Sequence, residues 1–112
     1  MEWWQEEIEI QRQLDNALGT LRENGIKACE AERQYQLAKS KKMFELKEAG
    51  YPVTFIEGAI KGISEIADLD YHRNVADVVY KANQEAINIK KKELDVLEES
   101  IRREFYTNAR ND

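Results

Sequence analysis

One break in an otherwise almost unbroken helical pattern, at Gly50-Tyr51-Pro52, constrains this chain more than any other feature. From Trp3 to about Glu48 there is no proline, and the helix-favouring Glu, Gln, Lys, Arg, Ala and Leu dominate. Gly50 can adopt positive φ without a Cβ penalty and so can terminate a helix. Pro52 then forbids its continuation. A second arm runs from Glu65 to about Asn108, and the tail from Thr107 to Asp112 is expected to fray. The expected fold is all-α: a long antiparallel helical hairpin, coiled-coil-like, in a single domain over 1–112. Its arms cover about 3–48 and 65–108, with a corner at 49–64.

Each arm shows an apolar stripe. In the first, Ile10, Leu14, Ala17, Leu21, Ala28, Ala31, Tyr35 and Ala38 recur at spacings of three, four or seven. Asn24 stands on that stripe, where a buried Asn can set register. Gly25 marks a bend, or the end of a separate first helix over Trp3 to Asn24. Tyr35 interrupts a run of small residues and has to find a groove. Met43, Phe44 and Leu46 widen the face just before the corner, where the best packing is expected. In the second arm, Val75, Val79, Ala82, Ala86, Ile89, Leu94, Leu97, Ile101 and Phe105 form the stripe. The wide step from Ile89 to Leu94 reads as a heptad slip with local rewinding.

The corner should contain a short helix from Phe55 to Lys61, stopped by Gly62. Thr54-Phe55-Ile56-Glu57 has the pattern of a capping box, in which Thr54 accepts from the Glu57 amide and Glu57 reaches back. Ser64 can cap the last arm, with Glu65 and Asp68 placed where the helix dipole favours acids.

A thin pair of helices encloses little core, so part of the apolar surface is expected to be covered by another copy, a dimer forming a helical bundle, or by a different partner. The net charge of −5 lacks the basic field that wholesale nucleic-acid wrapping requires. Lysines do cluster at Lys39, Lys41, Lys42 and Lys47 and at Lys90-Lys91-Lys92, which leaves a weak nucleic-acid contact as an alternative. No run approaches the roughly 18 apolar residues of a membrane span. The acidic start lacks the basic and apolar segments of a signal peptide, so a cytoplasmic protein with no membrane partner is expected. The single Cys29 excludes an internal disulfide and a cysteine-rich metal site.

Two constellations could carry chemistry. Glu45-x-x-Glu48 and Glu65-x-x-Asp68 each span about one turn, so each pair can face one way. Brought together across the hairpin, the two pairs could hold Mg²⁺ against a nucleotide phosphate. This pattern resembles the ExxE…ExxD signature of the all-helical nucleotide pyrophosphohydrolases related to MazG. The resemblance implies metal ligation by Glu45, Glu48, Glu65 and Asp68 and makes a Mg-dependent enzyme the alternative reading. Otherwise no cofactor and no catalytic residue is expected. Asp68, Asp70 and Asp77 surround His72, the only histidine, without a zinc-binding spacing. An ion pair from Asp68 or Asp77 to His72 or Arg73 is the ordinary expectation there.

The first arm opens on Trp3-Trp4, with Ile8 one turn on, and the second ends on Phe105-Tyr106. Together with Tyr35 these are the candidate interface residues, since exposed aromatics anchor protein contacts. Phe105 and Tyr106 could instead cover the indoles within the hairpin. The chain also resembles small helical proteins encoded by phages and prophages of Gram-positive bacteria. The resemblance covers about Ala28 to Phe105. It rests on Glu32-x-x-Tyr35, Leu46-Lys47-x-x-Gly50-x-Pro52-x-Thr54, Ile60-Lys61-Gly62, Val75-Ala76, Tyr80-Lys81-Ala82, Glu85-Ala86-Ile87 and Ile101-Arg102-Arg103-Glu104-Phe105. It implies a helical fold and a phage setting in the host cytoplasm, with no catalytic assignment. The expectation is a noncatalytic accessory protein that self-associates and binds a host or phage protein.

Overall fold

A computed structural model describes residues 2–111. Helix α1 spans Trp3–Glu48, α2 spans Val53–Ala59, a 3-10 turn follows at Ile60–Gly62, and α3 spans Ser64–Asn111. There is no strand among the described residues, and α1 packs against α3 as an antiparallel helical hairpin. At the start of α1, the Glu2 amide donates to the Gln5 side chain at 3.4 Å, satisfying one of the orphan donors of the first turn. The helix passes through Gly25 without interruption, so the separate first helix does not form. Gly25 serves a different purpose. A Cβ there would stand 3.2 Å from the Tyr80 ring, so the missing side chain lets that ring approach the α1 backbone.

The corner is closed by hydrogen bonding. Gly50 takes φ of 95°. Its amide donates to the Lys47 carbonyl at 3.0 Å, while the Tyr51 amide donates to the Leu46 carbonyl at 3.2 Å. These two bonds are the Schellman pair that satisfies the last carbonyls of α1. Pro52 is extended, with ψ of 147°, and its carbonyl accepts the first α2 bond from Ile56 at 3.0 Å. The capping box does not form: α2 begins at Val53, so Thr54 lies inside the helix, and the cap at Pro52 has no side-chain bond. The physical reason is that Pro52, extended, already offers its carbonyl to the Ile56 amide, so the first turn starts at Val53 and leaves Thr54 no capping position. Tyr51 stacks on Phe55 with ring centroids 5.2 Å apart. Ile63 is again extended and supplies the first carbonyl of α3, to the Ala67 amide at 2.8 Å, so Ser64 is the first helical residue rather than the cap. At the other end α3 continues through Thr107 to Asn111, and Asp112 lies outside the described residues.

The chain divides into two compact units. One comprises Glu23–Tyr80, that is, parts of both long helices with the whole corner. Its core is Tyr35, Ile60 and Ile66, backed by Ala38, Met43, Leu46, Ile63 and Leu69. Packing before the corner is therefore as expected for Met43 and Leu46, whereas Phe44 is exposed. The other unit comprises the chain up to Arg22 and from Lys81 onward, and Ile87 is its single fully buried apolar residue among the described residues. Here the Asn83 side-chain amide donates across to the Ala17 carbonyl at 3.5 Å.

The stripe expected on α1 faces inward along its length, from Ile10 to Ala38. The stripe expected on α3 does so only in part, at Leu94, Leu97 and Ile101. Val75, Val79 and Ile89 are 42–50% exposed, and Ala82 and Ala86 are exposed as well. The covered positions are Ile66, Leu69, Arg73, Ala76 and Tyr80 in one unit and Asn83, Ile87, Lys90, Leu94, Leu97 and Ile101 in the other. These step by three and four throughout, so the heptad slip vanishes once Arg73, Asn83 and Lys90 are read as members of the seam. Phe105 likewise lies outside, 71% exposed.

Candidate interaction surface

The paired acids are not gathered into a metal site. Glu45 and Glu65 line one shallow groove of about 350 Å³, but Lys41 and Lys42 line it too, and the Lys42 ammonium stands 3.6 Å from the Glu45 carboxylate. Glu48 and Asp68 are exposed and do not line that groove. Among the described residues no three His, Cys, Asp or Glu side chains are placed to hold one ion. The cluster around His72 is equally dispersed: His72 packs edge-on to Tyr71, and Asp70 is taken by Arg73.

Arg73 is instead the centre of a clasp inside the Glu23–Tyr80 unit. Its guanidinium lies 4.2 Å from the Tyr35 ring centroid, within cation–π range. It donates to Glu32 at 3.2 Å and to Asp70 one turn back. Its buried Nε has no partner. Burial works against the Arg73 charge, the bonds to Asp70 and Glu32 work for it, and the net movement is upward. The Glu32 carboxyl is held below its ordinary range, first by the Gln36 side-chain bond and then by Arg73. Tyr35 is thus 5% exposed and belongs to the core, not to an interface. A small-residue run around it left room for a ring, and the α3 guanidinium fills the space above that ring. The signal was available in the three-four spacing from Ile66 through Leu69 to Arg73.

Both units leave large apolar side chains exposed, Ile26, Phe44, Tyr71 and Val78 in Glu23–Tyr80 among them, and the unit containing both chain ends adds a larger groove. A groove of about 640 Å³ runs between α1 and α3, and Ile10, Ile89, Val96 and Leu97 are its apolar lining. Glu6, Glu9, Lys92, Glu93 and Ser100 line it as well. Arg12 and Gln13 bond to Glu9 and hold its carboxyl below the ordinary range, Arg12 being the larger cause. Trp4 and Ile8 are each 58% exposed. Phe105 and Tyr106 are more exposed still and meet each other edge-to-face at 6.3 Å, so they do not serve as an internal cover for the indoles. Trp3 is the least exposed of the four aromatics. The lysine clusters fall in different units, and Lys42 and Lys90 are each engaged by a glutamate three residues on. No described helix is long and apolar enough to cross a membrane.

No family model, curated protein or solved structure matches the chain.

Proposed function

We propose that this is a noncatalytic phage accessory protein that works through protein–protein contact and self-association, as a dimer in the host cytoplasm. The observation that carries the reading is the uncovered apolar surface of the unit holding both chain ends. Trp4, Ile8, Val96, Phe105 and Tyr106 are all more than half exposed. Large apolar and aromatic side chains left exposed in this number supply surface that a binding partner can cover. The phage setting rests on the resemblance of residue strings between Ala28 and Phe105 to small phage and prophage proteins.

Sedimentation equilibrium on the full chain tests self-association, with a mass of twice 13.1 kDa expected. Affinity capture from phage-infected lysate, comparing wild type with Trp3→Ala/Trp4→Ala, tests the second partner. A protein retained stoichiometrically by wild type and lost from the pair is the expected result. A chain that stays at 13.1 kDa and retains nothing sinks the proposal.

A further inference from the structure

We infer that the clasp of Arg73 with Glu32 and Tyr35 is a register lock: it selects where along α1 the helix α3 pairs, and it does so at a cost relative to an apolar side chain of like size. Arg73 occupies a seam position between Leu69 and Ala76, and its side chain is 29% exposed. A guanidinium is unfavourable in so covered a place, and the unpartnered Nε adds the penalty of a donor taken out of water. A methionine of similar length would pack on Tyr35 with neither penalty. What the arginine alone supplies is a demand for particular partners, and a buried polar group can fix helix register in this way.

The apolar part of this seam discriminates poorly. Ala28, Ala31 and Ala38 on α1 and Ala76 on α3 are small and alike, so sliding one helix along the other exchanges similar contacts. Unwinding one turn at the end of α1 or the start of α3 would let the corner absorb such a slip. The clasp is not interchangeable. Arg73 donates to Glu32 at 3.2 Å and lies 4.2 Å from the Tyr35 centroid. Slips that keep the same helix faces together move by three, four or seven residues. A slip of four puts Ala28 and Ala31, or Gln36 and Lys39, in the places of Glu32 and Tyr35. A slip of seven puts Gly25 and Ala28, or Lys39 and Lys42, there. A slip of three offers an acid or a ring but never both: Cys29 with Glu32, or Tyr35 with Ala38. Asp70 travels with Arg73 on α3 and cannot tell one register from another. Tyr80 restricts the register independently. Its ring sits where a Cβ on Gly25 would stand 3.2 Å away, and every one of these slips puts a residue with a side chain in place of Gly25. Two contacts of different chemistry, made by different residues, therefore close together only in the observed register.

The test is the distance between two spin labels on the full chain, with the exposed Cys29 replaced by Ser. Cysteines for the labels replace the exposed Ser40 on α1 and Val78 on α3. Labelled chains are diluted with an excess of unlabelled chain, so that only distances within one chain are read. With Arg73 present, one narrow distribution is expected. Arg73→Met should keep the helicity and a urea midpoint at or above that of wild type. It should add a second population displaced by roughly 5 Å, one helical turn. Glu32→Gln keeps the size of the side chain and removes its charge, and should give the same second population at smaller amplitude. That variant decides the matter if Arg73→Met fails to fold. A single narrow distribution in both variants overturns the lock. A midpoint for Arg73→Met well below wild type, with the distribution unchanged, makes the clasp a plain stabiliser and overturns the lock as well.

Discussion

Residues Glu23–Tyr80 and the unit holding both chain ends are built from the same two helices, yet their interiors differ. In the first, Tyr35, Ile56, Ile60 and Ile66 are buried to 5% exposure or less. In the second, only Ile87 reaches that level among the described residues. The difference follows from a third layer. The corner supplies α2 and the 3-10 turn, and Ile56 and Ile60 from them are nearly inaccessible. Where only two helices meet, each seam residue has neighbours on one side and water on the other, and a groove remains. A two-helix segment is in this sense an unfinished core, and its open side is where a partner contributes most.

The largest effect that would break this comparison comes from core truncation. Ile60→Ala and Ile66→Ala each remove a side chain exposed by 2% or less. Each should cost about 2–4 kcal/mol in urea unfolding. Val96→Ala, on the open groove, should change the isolated chain by less than about 0.5 kcal/mol. Equal losses at Ile66 and Val96 would show that the groove is already covered and that the contrast between the units is false. A smaller effect is expected at Arg73. Arg73→Ala removes the cation–π contact and the side-chain stem packed on Tyr35, and should lower stability by about 1 kcal/mol. Arg73→Lys should recover only part of this, because an ammonium lacks the planar fork that reaches both Glu32 and Asp70. A lysine variant melting with wild type would reduce the clasp to simple charge.

How far the sequence reveals the fold differs between the helices. On α1, apolar periodicity alone finds the inward face, because its seam residues from Ile10 to Ala38 are mostly apolar. The corner break was equally visible, since Gly50 and Pro52 act through backbone geometry that no tertiary contact alters. On α3 the same reasoning selects Val75, Val79 and Ile89, which face out, and misses Arg73 and Asn83, which face in. Hydrophobicity cannot see that a guanidinium is bonded by two carboxylates and stacked on a ring. Those partners come from α1 and from the preceding turn of α3. For the same reason the sequence alone presents Tyr35 as an interface candidate. The candidate acids show the converse failure. Spacing places Glu45 with Glu48 and Glu65 with Asp68, but it says nothing about whether the pairs meet, and the structure brings only Glu45 and Glu65 to one groove.

The smallest effect concerns acid, and it separates a bond across the hairpin from one along a single helix. Glu32 is held below its ordinary value of 4.5 by Gln36 and by Arg73 of α3. Glu9 is held down by Arg12 and Gln13, all on α1. A carboxylate whose folded value is depressed adds stability that is fully present above its unfolded value and is lost as the pH falls through the folded one. The thermal midpoint should therefore drop as the pH is lowered below about 4.5. Both groups are solvent-exposed, so the drop attributable to each is small and shrinks further in salt. Glu32→Gln and Glu9→Gln should each flatten the acid limb. Glu32→Gln should flatten it more, because the ionised Glu32 also holds Arg73 over Tyr35 and so ties α1 to α3. If the two variants trace the same curve, the clasp adds nothing beyond a helix-surface pair. If Glu32→Gln alone departs, the third layer and the clasp together account for the firmer packing of Glu23–Tyr80.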